Sequence, residues 1–241
     1  MTRTGEYEYA GNELELFAHA RNWKSYFAAS IARYAGERIA EIGAGNGGTT
    51  EVLARLPHTA WYAMEPDRAL LSALEDKRAK GAIPASVTAV AGTLDDVPKT
   101  ARLDTILYID VLEHIADDAG ELKRAGQRLE PGGHVVVLSP AYQTLYSPFD
   151  AAIGHHRRYT RAGLKRLTPD ELEFVRGFYL DSAGVLASAA NLLFLKQSQP
   201  SVSQIMLWDR FIVPCSKVLD KATAHSFGRS VIAVWRRRGA R

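Results

Sequence analysis

Glu41-Ile42-Gly43-Ala44-Gly45-Asn46-Gly47-Gly48 lies between an apolar run, Arg38 to Ile42, and a stretch with helical spacing, Thr49 to Leu56. Glycines where a strand becomes a helix let the backbone turn sharply and approach a ligand with no Cβ in the way. The turn is of a nucleotide-binding kind. Gly43, Gly45 and Gly48 satisfy the dinucleotide fingerprint G-x-G-x-x-G, and an acid, Glu65, follows at the end of the next predicted strand. Glycines alone do not name the ligand.

Outward from this turn the chain alternates. Strands are predicted at 38–42, 59–64, 86–91, 103–109 and 134–139, with a helix over 67–80 that Asp67 is placed to cap. Such alternation marks a parallel sheet with helices on both faces, an α/β doubly wound fold. Ahead of it, Leu14, Phe17, Ala18, Trp23, Phe27, Ile31 and Tyr34 recur at helical spacing and suggest a cap. After Ser139 the rhythm breaks into a Pro-, Tyr- and Arg-rich stretch. A strand is predicted at 172–180, helices at about 183–197 and 201–221, and a last strand at 230–235. We read one unit in four parts: a helical cap (1–35), a core (36–140), a lid with helical inserts (141–228), and a last strand with a basic tail (229–241). Loops of that length in a compact domain are more often functional than idle.

The 241 residues, 46% hydrophobic and 24% charged, lie in the ordinary globular range. The net charge of +3 comes partly from the closing Arg236, Arg237, Arg238 and Arg241, which read as a solvated end. Cys215 is alone, so no intrachain disulfide forms, and no Cys cluster has zinc spacing. These features, with no signal-peptide pattern and no apolar run of spanning length, point to a cytoplasmic protein. The sequence does not determine an oligomeric state.

Five motifs in order carry a resemblance. Glu41, Gly43, Gly45 and Gly47 form an acid followed by G-x-G-x-G. Glu65-Pro66-Asp67 ends the second strand. Ala91-Gly92-Thr93-Leu94-Asp95 follows the third. Leu107-Tyr108-Ile109-Asp110-Val111-Leu112-Glu113-His114-Ile115 spans the fourth, before Leu129-Glu130-Pro131-Gly132-Gly133. Over about residues 36–140 the chain resembles the class I S-adenosylmethionine-dependent methyltransferases. The resemblance implies a Rossmann-like sheet of seven mostly parallel strands with an antiparallel last strand. It implies S-adenosylmethionine as cofactor, S-adenosylhomocysteine as product, and no metal. It implies cofactor contacts from Glu41, Gly43, Ala44, Gly45, Gly47, Glu65, Pro66, Thr93, Leu94 and Asp110, with Glu65 on the ribose hydroxyls and Thr93 and Leu94 beside adenine. Many members carry Asp where this chain has Thr93. Glu41 suits this ligand physically, because a carboxylate repels a pyrophosphate but favours the ammonium and sulfonium of the methionyl end.

The acceptor side rests on Ser147 to Thr160, which resembles a bacterial subset with a Gly-His-x-Arg-Arg-Tyr-Thr segment after strand five. Arg157, Arg158 and Tyr159 either grip an acidic acceptor or form an internal clamp with Asp150 or another carboxylate; both readings stay open. Tyr142 and Tyr146 are candidate acceptor walls. His114, His155 and His156 are candidate general bases, since histidine titrates nearest neutrality. The expected reaction is methyl transfer to an O or N atom of a small-molecule acceptor, acidic or lipid-linked. An NAD(P)-dependent oxidoreductase and a non-catalytic cofactor-binding module are the alternatives. A nucleic-acid substrate is disfavoured by dispersed basic residues and by the lack of a base-flipping motif after strand four.

Overall fold

The structure, a computed structural model, describes residue 9, residues 13–185 and residues 201–239. Seven strands form one sheet in the order β3-β2-β1-β4-β5-β7-β6. They are β1 (Arg38–Ile42), β2 (Ala60–Glu65), β3 (Val87–Ala91), β4 (Leu103–Ile109), β5 (Leu129–Pro140), β6 (Leu172–Leu180) and β7 (Ser230–Arg237). β1 pairs in parallel with β2 and β4, while β7 runs antiparallel between β5 and β6. The expected seven-stranded arrangement is present. Chain order reverses at β1, so the ends of β1 and β4 splay into the crevice where such sheets bind ligands.

The sheet is buried on both faces, which is why its central strands read as continuous apolar runs. Ile39, Leu107, Val136 and Leu138 pack on one face with Trp23, Phe27 and Trp208. Ala40, Ile106, Tyr108, Val135, Val137 and Trp235 pack on the other.

The helices are α1 (Glu13–Leu16), α2 (Arg21–Ile31), α3 (Thr50–Leu53), α4 (Arg68–Ala79), α5 (Asp118–Arg128), α6 (Pro148–Ala152), α7 (Arg161–Arg166), α8 (Val202–Leu207) and α9 (Val213–Ala222). Asp67 caps α4 as expected, accepting from the N–H groups of Ala69 and Leu70. The alternation read from the sequence omits α5, although Asp117 caps it and Leu122 and Ala125 are fully buried beneath it. β5 begins at Leu129, earlier than expected, because Pro131-Gly132-Gly133 is carried within the strand beside a register shift against β4. Beyond residue 185, the helix expected at 183–197 lies outside the described residues.

The C-terminal insert is fastened by buried aspartates. Between α8 and α9 a π-helical turn, Trp208–Ile212, presents Asp209 to the start of α2. Its oxygens accept from Trp23 N (2.8 Å) and Asn22 N (3.1 Å), capping a helix whose own Ala20 cannot. Asp220 accepts from Tyr26 Oη (2.8 Å) and the N–H groups of Asp181 and Ser182, while Asp181 accepts from Trp208 Nε1 (2.9 Å) and Ser216 Oγ (2.6 Å). Asp209→Ala is expected to cost about 1–2 kcal/mol, as loss of a good cap does. A denaturant midpoint unchanged from the parent would show that α2 needs no such cap. No helix among the described residues is long and apolar enough to cross a membrane.

Candidate active site

The glycine turn follows β1. Gly43, Gly45 and Gly47 have φ of +68°, +56° and +76°, a region that glycine alone enters without strain. A Cβ on Gly43 would lie 2.6 Å from Val111 Cγ2, and one on Gly47 2.8 Å from Ile83 Cδ1. Gly48 is different. Its φ is not left-handed, and a Cβ there meets the far ends of Asn46, Lys24 and Lys77. The backbone therefore requires the G-x-G-x-G spacing and tolerates a side chain at the glycine that completes the dinucleotide fingerprint.

Glu65 ends β2 beside this turn. Its Oε2 accepts from Gly45 N at 2.7 Å and its Oε1 from Asp67 N at 2.9 Å. Burial raises its pKa, against the pull of these two backbone donors. Each oxygen keeps a lone pair for a further donor. Glu41 is set deeper, 1% exposed, with Oε2 accepting from Trp61 Nε1 at 3.0 Å. Burial lifts its pKa to about 7. So Glu41 underlies the turn. Thr93 caps the single helical turn Leu94–Asp96 through a reciprocal box with Asp96, and Leu94 is 1% exposed. Asp110 ends β4 in a left-handed conformation, its N–H bonded to Leu138 O. Ala44 N donates to Met64 O, tying the turn to β2, and Pro66 follows Glu65 directly in the chain.

Two residues over this rim carry no sequence signal. Tyr9 N donates to Asp67 Oδ2 at 2.7 Å, and its ring lies 6.0 Å from that of His114, so Tyr9 stands between the two at the mouth. Lys24 of α2 brings its ammonium against the Gly48 edge, and burial together with Lys77 lowers its pKa to about 8. Both sit in segments the sequence marks only as cap.

The segment after β5 is tied down by ion pairs within the chain. Arg158 grips Asp150 through both oxygens at 2.8 Å, and Asp150 also takes His155 Nδ1 at 2.9 Å and Ser147 Oγ at 2.8 Å. Burial opposes ionisation of Asp150, yet the hydrogen bonds of His155 and Arg158 hold it well below the usual carboxylate range. Arg157 pairs with Asp118 at 2.8 Å and donates to Ala116 O, and Tyr159, buried beneath, donates to Asp118 Oδ2 at 2.8 Å. The guanidinium edges expected to meet an acidic acceptor are thus engaged by carboxylates of the chain itself. Tyr146 donates to His155 O at 2.6 Å, and Tyr142 stacks on Tyr179 at 5.2 Å. Trp208 is core, and Phe211, 57% exposed, faces outward.

Of the three histidines, two converge. His114 and His155 stand edge to face at 4.6 Å, with the fully buried Glu113 beside them. Burial first, then the neighbouring imidazoles, lower the His114 pKa to about 4, which makes it a weak base at neutral pH. Glu113 accepts from Ser139 Oγ at 2.8 Å, and burial and then the Asp110 charge push it well above the usual range. His156 is exposed and reaches Glu113 only through its backbone N–H.

With this geometry in place, relatives sharpen its meaning. Residues 40–135 match the family model of a methyltransferase domain. That match runs from β1 into β5 and takes in the glycine turn, Glu65 and Asp110. Among curated proteins it is similar to the ubiquinone biosynthesis O-methyltransferase of Azorhizobium caulinodans (strain ORS 571), 29% identical over 157 residues, covering 62% of this chain and 60% of that one. The Ralstonia nicotianae protein of the same description is 24% identical over 147 residues, covering 61% and 60%. The matched stretch therefore spans under two thirds of either relative. Among solved structures, geranyl diphosphate C-methyltransferase from Streptomyces coelicolor A3(2) shares the methyltransferase fold at TM-score 0.65 and 15% identity, covering 97% of this chain and 84% of that one. The [4+2]-cyclase SpnF shares it at TM-score 0.60 and 15% identity, covering 95% of each. This methyltransferase fold hosts more than one chemistry, so function must be argued from the site.

Proposed function

We propose that this chain transfers a methyl group from S-adenosylmethionine to an oxygen of a small-molecule acceptor, in one unit whose cap and lid enclose the core. The observation that carries the donor half is the Glu65 carboxylate standing 2.7 Å from Gly45 N, over a turn of three left-handed glycines. A side chain at Gly43 would strike Val111 and one at Gly47 would strike Ile83 and Leu74, so the turn keeps its shape only with glycine there, and Glu65 has acceptor capacity for a ribose diol. Glu41 supplies negative charge below the methionyl end, and Lys24 a cation at the Gly48 edge for its carboxylate. Thr93 and Leu94 would border adenine.

When bound, the cofactor supplies an activated methyl on a sulfonium, displaced in line by the acceptor. The chain's own part is alignment and exclusion of water. Tyr9 and Leu14 close over the turn, and the Asp150 clamp fixes His155 on the acceptor side. The O-methyltransferase relatives support oxygen as the acceptor atom, and a cytoplasmic setting belongs to the same proposal.

Glu65→Ala is expected to weaken S-adenosylhomocysteine binding by about ten-fold or more, since hydrogen bonds to a charged group contribute roughly 1.5–3 kcal/mol. Calorimetry measures it, and equal affinity would remove Glu65 from the site. Turnover is tested by S-adenosylhomocysteine formation with a panel of catechols and phenols. Cofactor binding without any product would favour the non-catalytic reading.

A further inference from the structure

Glu113 Oε1 is buried with no hydrogen-bond partner among the described residues, although Oε2 is held by Ser139. A buried carboxyl oxygen left without any polar partner is costly. What faces it is His155 Nε2, at 3.9 Å, too long for a hydrogen bond. Donor atoms of Glu113, His114 and His155 all lie within 4.8 Å of one another. In a tetrahedral zinc site, bonds of about 2.0–2.2 Å put neighbouring donors roughly 3.4 Å apart, so small side-chain rotations would close this set on one ion.

The surroundings match what a metal ligand needs. His155 donates Nδ1–H to Asp150 at 2.9 Å, which leaves Nε2 as the lone-pair nitrogen directed at Glu113. Asp150 is itself fixed by Arg158 and Ser147. Carboxylates behind ligating histidines set tautomer and orientation in this way. The plain clamp explains Asp150 and Arg158 but leaves Glu113 Oε1 unexplained.

We propose that Glu113, His114 and His155 bind one divalent transition-metal ion, of zinc or a neighbouring first-row element, at the acceptor side of the cofactor turn. The proposal departs from the sequence expectation of no metal, and its donors come from two segments distant in sequence. Two histidines and one carboxylate leave coordination positions open. The role of the ion, though not the site, rests on the methyl-transfer reading. An acceptor hydroxyl on the ion gives up its proton to solvent, its oxygen forms the new C–O bond, and the C–S bond breaks with the electron pair going to sulfur. Val111, packed where Gly43 lacks a Cβ, ties this loop to the cofactor turn.

The test is titration of the chelator-treated full chain with Zn2+ by calorimetry, and with Co2+ by visible absorption, which reports ligand geometry without any variant. The parent should bind one equivalent, with a tetrahedral or five-coordinate Co2+ spectrum. Glu113→Gln and His155→Gln should each lower affinity at least ten-fold with circular dichroism unchanged, Asp150→Asn should lower it ten- to hundred-fold, and His156→Gln should leave it unaltered. No binding by the parent, an octahedral aqueous-type Co2+ spectrum, or equal loss with His156→Gln would overturn the proposal. A parallel S-adenosylhomocysteine titration separates the two ideas: metal without cofactor refutes methyl transfer, and cofactor without metal refutes the ion.

Discussion

Replacing Asp150 by alanine is expected to destabilise the fold by about 3–5 kcal/mol, the range for breaking a buried ion pair by removing one partner. Asp150 is 1% exposed, and the Arg158 side chain 12%. Alanine would leave that guanidinium buried with no carboxylate and would free His155 and Ser147 together. Much of the loss is the stranded charge, so adding Arg158→Met should recover part of it; a double variant as unstable as the sum of the singles would exclude this coupling. The sign with pH follows. The folded carboxyl is depressed, so its stabilisation is present above the ordinary value of 3.8 and is lost as pH falls further. The Asp150→Ala variant should therefore show a shallower acid-unfolding profile than the parent.

Glu41→Gln is expected to move stability and binding in opposite directions. Burial lifts the Glu41 carboxyl from 4.5 to about 7. The folded chain holds that proton where the unfolded chain has lost it, so stability present below pH 4.5 declines as pH rises to 7. The fully developed cost is about 3 kcal/mol above pH 7, at 1.36 kcal/mol per unit. Glutamine carries no such cost. Its carbonyl can still accept from Trp61, and its amide can meet the hydroxyl of Thr50, which neighbours the Glu41 carboxyl. At pH 8 the variant should be the more stable protein, yet it should bind S-adenosylhomocysteine about ten-fold more weakly for want of the negative charge. Thermal unfolding at pH 5 and pH 8, beside calorimetry, measures both. A variant that loses stability and keeps affinity would assign Glu41 a structural role only.

The core was legible because its signals are local. A strand, a glycine turn and an acid at the end of the next strand lie within one stretch of chain, and each strand buried on both faces reads as an apolar run. Asp67 announces α4 by the same kind of short-range chemistry. α5 went unread although Asp117 and the spacing of Leu122 and Ala125 were available. The glycine spacing stayed open because only backbone conformation shows that Gly47, and not Gly48, needs to be glycine. On the acceptor side the reasons are long-range. The partners of Arg157 and Tyr159 lie at Asp118, in a helix not foreseen, and the convergence of Glu113 with His155 joins two separate segments. Lys24 and Tyr9 reach the turn from a cap whose docking depends on Asp209, Asp181 and Asp220 in the C-terminal half. No pattern within a short window carries such contacts.

Calorimetric titration of the full chain with S-adenosylhomocysteine tests the donor site most directly. One equivalent should bind, within the roughly micromolar to millimolar range usual for enzyme ligands, and Glu65→Ala should weaken it. Absence of any heat of binding up to about 1 mM, with the chain folded, would refute the assignment of this turn to a sulfonium cofactor.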